Sequence, residues 1–193
     1  ENEKIIFNKD SGFIKDEHVG SSTFGSNILR QIISVENALA KINTKYTLKI
    51  RSDCYFKSNK ILSINHNLFE RSKIFKIFDE RIVISSLGSF NQNKSKILFN
   101  FNDWFNYGLT KDLKKIWTSK ISKDDINFYQ KNPKKKQNII GCNWDLRYTA
   151  EQFIYYKSIS SHLKFKLEHS QDFSKEKLNF ANRYLINNFY LED

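Results

Sequence analysis

The run Lys49-Ile50-Arg51-Ser52-Asp53 brings two cations and a carboxylate together in one short segment. In open α/β sheets, ligands bind outside the carboxyl ends of strands. A strand that ends in this run would carry an Arg able to grip phosphate oxygens in a fork. Its Asp could hold Mg²⁺ or Mn²⁺ on a diphosphate. An Arg–Asp surface pair at a strand end is the second reading of the same residues. Asn27, Arg30, Gln31 and Ser34 stand at i, i+3, i+4 and i+7, so on a helix they share one polar stripe. Amide, hydroxyl and guanidinium groups suit a bound sugar or phosphate, or they form a solvated face.

Two further segments carry chemistry-bearing types. Phe101-Asn102-Asp103-Trp104-Phe105-Asn106-Tyr107-Gly108 interleaves aromatics with amides and a carboxylate. Rings can floor a sugar while polar groups bond its hydroxyls, though aromatics also simply bury in cores. Arg147-Tyr148-Thr149-Ala150-Glu151-Gln152 places Glu151 in the first turn of an expected helix. There it serves either as a general base or as a complement to the helix dipole. The histidines (His18, His66, His162, His169) have no metal-ligand spacing. Gly-rich phosphate loops, G-x-S-x-G and H-E-x-x-H are absent from the sequence. Cys54 and Cys142 make neither a zinc pattern nor C-x-x-C, which suits reduced thiols in a cytoplasmic protein.

The elements that must position these residues read as α/β. Lys4 to Phe7 is expected as a strand and Asn8 to Ser22 as a long loop. Ile28, Ile32, Val35, Leu39 and Ile42 form a single apolar stripe, hence a helix, with Thr23 or Ser26 as its cap. Tyr46 to Ile50 alternates as a strand. Lys60 to Phe69 and Thr110 to Ser119 read as helices; Arg81 to Ser85 and Lys96 to Phe101 read as strands. Lys120 to Asn138 is polar and lysine-rich, a loop excursion. Thr149 to Ser161 opens with a capping-box pattern, and Ser174 to Phe189 carries Leu178, Ala181 and Leu185 on one face. No feature divides the 193 residues, which are expected to form one domain.

Hydrophobic residues make up 39% of the chain and aromatics 15%, enough for a packed core rather than global disorder. No apolar run approaches the roughly 18–20 residues of a bilayer span. The formal net charge is +11, which raises a nucleic-acid or anionic-surface partner. Lys accompanies abundant Asn, Ile and Phe, however, a composition that AT-rich coding alone produces. Basic and aromatic residues do not cluster in an RNA-recognition pattern. The chain starts at Glu1 and contains no methionine, which reads as a trimmed piece of a longer product.

Taken in order, the four segments resemble the WavE lipopolysaccharide-synthesis family of bacteria. The likeness rests on Asn27 with Arg30-Gln31-Ile32 and Ser34, then Lys45-Tyr46-Thr47-Leu48-Lys49-Ile50-Arg51-Ser52-Asp53. It continues in Asn102-Asp103-Trp104-Phe105 with Tyr107-Gly108, and in Arg147 with Glu151-Gln152-Phe153. It covers roughly residues 1 to 160. The resemblance implies a Rossmann-like, GT-A-type nucleotide-diphospho-sugar transferase unit, α/β in class, here without its base-cradling first strand. It implies sugar transfer to lipopolysaccharide core or a related surface glycan.

The same resemblance implies the roles. Arg51, Asp53 and Lys49 would stand near the diphosphate, with Asn27, Arg30 and Gln31 lining the donor pocket. Asp103 and Trp104 would bind donor sugar or acceptor, and Glu151 would be the base. The GT-A metal motif is Asp-x-Asp; here Arg51 replaces its first acid. Arg51 is expected to replace part of the metal's charge at the diphosphate, with Asp53 binding ribose, sugar or a loosely held Mg²⁺ or Mn²⁺. The partners implied are a nucleotide-sugar donor and a glycolipid or oligosaccharide acceptor. Peripheral contact with an anionic inner membrane goes with the basic surface. The competing class is a non-catalytic basic module for nucleic acid or other polyanions, which salt dependence would distinguish.

Overall fold

A computed structural model describes residues 5–12, 14–15, 25–65, 69–89, 99–117, 137–139, 142–144, 150–163 and 175–192. In chain order the elements are β1 (Ile14–Lys15), β2 (Gly25–Ser26), α1 (Ile28–Ala40) and β3 (Tyr46–Ile50), then β4 (Ile82–Ser85), β5 (Phe105–Leu109) and α2 (Thr110–Trp117). They continue with β6 (Gln137–Ile139), β7 (Cys142–Trp144), α3 (Ala150–Ile159), α4 (Lys175–Asn188) and β8 (Phe189–Glu192). The α/β class expected from the sequence is observed.

Four strands build a mixed sheet in the order β3-β5-β4-β8. β5 runs antiparallel to both β3 and β4, while β4 and β8 are parallel. The carboxyl ends of β3, β4 and β8 therefore share one edge, and β5 enters the sheet from that edge. Side chains alternate between the faces, as the pleat requires. Ile82, Ile84 and Phe189 point into the larger core, with Ile28 and Ile32 of α1, Leu113 and Trp117 of α2, and Phe153 and Ile159 of α3. The opposite face carries Val83 and Tyr107, flanked by Tyr46, Leu48, Phe105 and Tyr190. Ile61, from a single 3-10 turn at Lys60–Ser63, packs on that face.

The helices follow from their apolar patterns. α1 buries Ile28, Ile32 and Leu39 on one stripe. α3 is buried around most of its circumference, from Gln152 through Tyr156 and at Ser158 and Ile159, which makes it a central helix rather than a surface one. Edge-to-face ring pairs tie it to the segment before β5 and to β8: the Tyr155 ring centroid stands 5.2 Å from that of Phe101 and 5.4 Å from that of Phe189. Such pairs contribute roughly 0.5–1.5 kcal/mol each beyond buried area. Among the described residues, no helix is long and apolar enough to cross a membrane.

Several local expectations are corrected. Ile5–Phe7 form no strand, and Ile14–Lys15 within the expected loop pair with Gly25–Ser26. The expected helix at Lys60 is one 3-10 turn, ending at Ser63. The strand expected over Lys96 to Phe101 is absent in its described part: Phe99 takes a positive φ of 60°, which breaks an extended run. The strand forms instead at Phe105–Leu109, inside the aromatic segment. Gln137 and Asn138, assigned to the lysine-rich loop, pair with Trp144 and Asn143. Asn27 is the N-cap of α1 and makes no side-chain cap bond. Phe189 ends the expected last helix by starting β8. Thr23, Lys96 to Leu98, Lys120 to Lys136, Arg147, Thr149 and Ser174 lie outside the described residues.

Candidate functional site

Register decides which groups meet. Ile50 pairs with Phe105 at the sheet edge, so the residues leaving β3 lie beside those entering β5. The Arg51 amide donates to the Trp104 carbonyl at 2.9 Å and extends the contact by one step. Asp103 is thereby carried to the cations of the Lys49–Asp53 run, although 50 residues separate Asp53 from Asp103.

Asp103 is 3% exposed. The Lys49 ammonium donates to its main-chain carbonyl and lies 3.6 Å from its carboxylate. The Gln31 side-chain amide, from α1, donates to the same carboxylate. Arg51 Nη1 stands 3.8 Å from the other oxygen. Lys49 also sits over the Trp117 ring, 4.9 Å from its centroid, a cation–π contact. Burial pulls the Lys49 ammonium below its ordinary value, and the Asp103 charge opposes that pull.

The exposed half of the site is the turn after β3. Arg51 donates from Nε and Nη2 to the two Asp53 oxygens, at 2.9 and 2.7 Å. This fork raises the Arg51 pKa and lowers that of Asp53. The Cys54 amide closes the turn on the Arg51 carbonyl at 3.1 Å. Burial and the adjacent Asp53 push the Cys54 thiol up, away from a reactive thiolate. Arg51 thus spans an exposed carboxylate and a buried one. As for a metal, Asp53 already gives both oxygens to Arg51. Among the described residues no three His, Cys, Asp or Glu side chains cluster. The donor set therefore does not fit a protein-built cation cage.

A buried network holds Asp103 from behind. Trp117 Nε1 donates to Asn106 Oδ1 at 2.9 Å, and Asn106 Nδ2 donates to the Tyr155 hydroxyl at 2.9 Å. That hydroxyl donates to the Asn102 carbonyl at 3.0 Å. The Asn102 side chain donates to the Leu87 carbonyl and accepts from the Trp104 amide, each at 2.7 Å. Burial pushes the Tyr155 phenol well above its ordinary value. Neither Tyr155 nor Trp117 figures in the sequence reading. The available signal was Asn106, an amide inside an aromatic run, which needs buried partners if that run enters the core.

The remaining expected residues divide. The polar stripe of α1 does not act as one surface. Gln31 turns to Asp103, while Arg30 donates from Nε and Nη2 to Asp10 at 2.6 and 2.7 Å and from Nη1 to Asn27 at 2.9 Å. Asp10, held also by the Gly12 amide, is lowered to about 2. Arg30 thus engages a different carboxylate from the one Gln31 meets, and Asn27 bonds Arg30. Trp104 is 37% exposed, at the rim beside Arg51. Glu151 is half-buried in the first turn of α3, one turn before Tyr155. Burial is the main cause of the raised Tyr155 phenol, and the charges of Asp103 and Glu151 push in the same direction.

Comparison with known proteins identifies one family over the full length of the chain. The model of the WavE lipopolysaccharide synthesis family matches residues 1–193, the whole chain. No curated protein and no solved structure matches it.

Proposed function

The chain belongs to the WavE lipopolysaccharide synthesis family, and from that premise we propose that it is a glycosyltransferase acting at the Arg51 edge of its sheet. The donor is a nucleotide-diphospho-sugar and the acceptor a hydroxyl of lipopolysaccharide core or a related surface glycan. One observation carries the reading. A half-exposed guanidinium, Arg51, stands at the carboxyl end of β3 between two carboxylates, Asp53 and Asp103. That is where open α/β sheets bind ligands. It is also a group matched to diphosphate oxygens.

In the transfer, the acceptor oxygen bonds to the anomeric carbon as the bond to the diphosphate oxygen breaks. The electron pair leaves with the nucleoside diphosphate, and the acceptor proton passes to Glu151. Arg51 takes the diphosphate in place of Asp53, whose carboxylate turns to solvent or to a ribose or sugar hydroxyl. Asp103, fixed by Lys49 and Gln31, orients a sugar hydroxyl, with Trp104 as a stacking wall. Asn27 and Arg30 frame the outer side of the donor. Arg51 supplies the charge that a divalent ion supplies elsewhere, so Mg²⁺ or Mn²⁺ is accessory.

Calorimetric titration with nucleoside mono- and diphosphates, with and without EDTA, tests this. The diphosphate should bind tighter than the monophosphate, EDTA should change affinity little, and Arg51→Ala should weaken binding by about tenfold or more. Once a donor and acceptor are found, Glu151→Gln should lower kcat by about 10²-fold or more. Tight DNA or RNA binding with a steep salt slope, and no nucleotide binding, would favour the basic-module reading instead.

A further inference from the structure

The two faces of the sheet are covered unequally. Helices cover one; across the other runs residues 54–64, anchored by Ile61 in the core and by the Phe56 ring against Phe105 at 5.1 Å. The outer side of this segment is unusual for a thin cover. Tyr55 is 80% exposed and Leu62 59% exposed, with Phe56 and Ile50 at 36% and 37%. Lys57 and Lys60 lie between them and are exposed. The only acid from Ile50 to Asn65 is Asp53, already neutralised by Arg51. Apolar and aromatic side chains interleaved with exposed lysines match the interface of an anionic bilayer, where rings and aliphatic chains enter and ammonium groups stay at the headgroups.

We propose that the outer side of residues 54–64, with Ile50, forms a docking surface for an anionic lipid bilayer. The segment starts at the Arg51 turn, so docking would hold the sheet edge close to the headgroups. A glycolipid acceptor would be reached there. That last consequence rests on the transferase reading; the docking itself does not.

The test uses the full chain and vesicles of phosphatidylcholine, with or without phosphatidylglycerol, in a sedimentation assay at fixed salt. Binding should require the anionic lipid. Lys57→Glu with Lys60→Glu should cut partitioning at least about twentyfold, since each lysine near such a surface contributes roughly fivefold. Tyr55→Ser with Leu62→Ser should cut it by about tenfold or more. Phe7→Ser, equally apolar and 91% exposed but outside the segment, should leave it unchanged. A Tyr55→Trp reporter should shift its emission to the blue on binding. Equal binding to neutral vesicles, unaltered binding by either double variant, or an equal loss with Phe7→Ser overturns the proposal. So does a dimer in solution that Leu62→Ser dissociates, which assigns the surface to a second copy. Nucleoside-diphosphate titration of the same variants keeps the two readings apart. Docking without nucleotide binding removes the transferase reading alone, and nucleotide binding without docking removes only this one.

Discussion

Two carboxylates face Arg51 from opposite sides, and they are held in contrary ways. Asp103 is buried, bonded by Gln31 and Lys49, and fixed from behind by the chain from Trp117 through Asn106 and Tyr155 to Asn102. Asp53 is 61% exposed and is held by Arg51 and a weak contact from the neighbouring Cys54 thiol. A buried ion pair cannot rearrange cheaply, because either charge left alone pays its desolvation. An exposed pair can, because water takes over each charge. One side of the site is thus built for position and the other for exchange.

The strongest way to break this contrast is Asp103→Ala. It strands the Lys49 ammonium in a site where its side chain is 9% exposed, and should destabilise the fold by about 3 kcal/mol in urea unfolding. Adding Lys49→Met should restore much of that loss. If Asp103→Ala costs no more than a surface substitution, Asp103 is not the fixed half. Asn106→Leu removes the partner of both Trp117 Nε1 and the Tyr155 hydroxyl, and should cost about 2 kcal/mol. Its effect and that of Asp103→Ala should be non-additive if the network and the ion pair act as one unit.

Titration separates the halves again. The Tyr155 phenol is raised above its ordinary value of 10.0 by burial. The unfolded chain therefore loses this proton first as pH rises. The stability that Tyr155 contributes is fully present below pH 10.0 and is lost as pH climbs through the folded value. Thermal melts across that range should fall with pH, and Tyr155→Phe should flatten the fall. Smallest is Asp53→Ala, expected to change stability no more than an ordinary surface substitution does. Because it frees Arg51, it should tighten inorganic pyrophosphate binding by up to about fivefold, the affinity equivalent of an exposed pair. Weaker pyrophosphate binding would make Asp53 part of the phosphate site rather than its competitor.

Much of the frame was legible in the residues. The α1 stripe, the alternation of Tyr46 to Ile50 and the apolar Arg81 to Ser85 run match the elements found. The short strand β8 was hidden at the end of a helical pattern, and β5 inside an aromatic run read as a binding floor. Short apolar runs fit either a strand or a buried helix, so only pairing partners settle them. At the site, Lys49, Arg51, Asp53, Asp103 and Trp104 do gather at one edge. Arg30 parts from Gln31, because successive residues on a helix point about 100° apart, here to Asp10 and to Asp103; Asn27 stays with Arg30.

What the amino-acid order determined by itself was local: where helices and strands could start, which faces were apolar, and which groups could carry charge chemistry. Those properties depend on neighbours within a few residues, through side-chain period and propensity. Only the tertiary structure decided that Asp103 rather than Asp53 is the buried partner of Lys49, and that Arg51 stands between the two. That outcome depends on β5 inserting antiparallel beside β3 with Ile50 opposite Phe105. Slipping the register by one residue would turn every side chain of the strand to the other face. No local pattern encodes such a pairing. Burial of the whole sheet against its helices selects it.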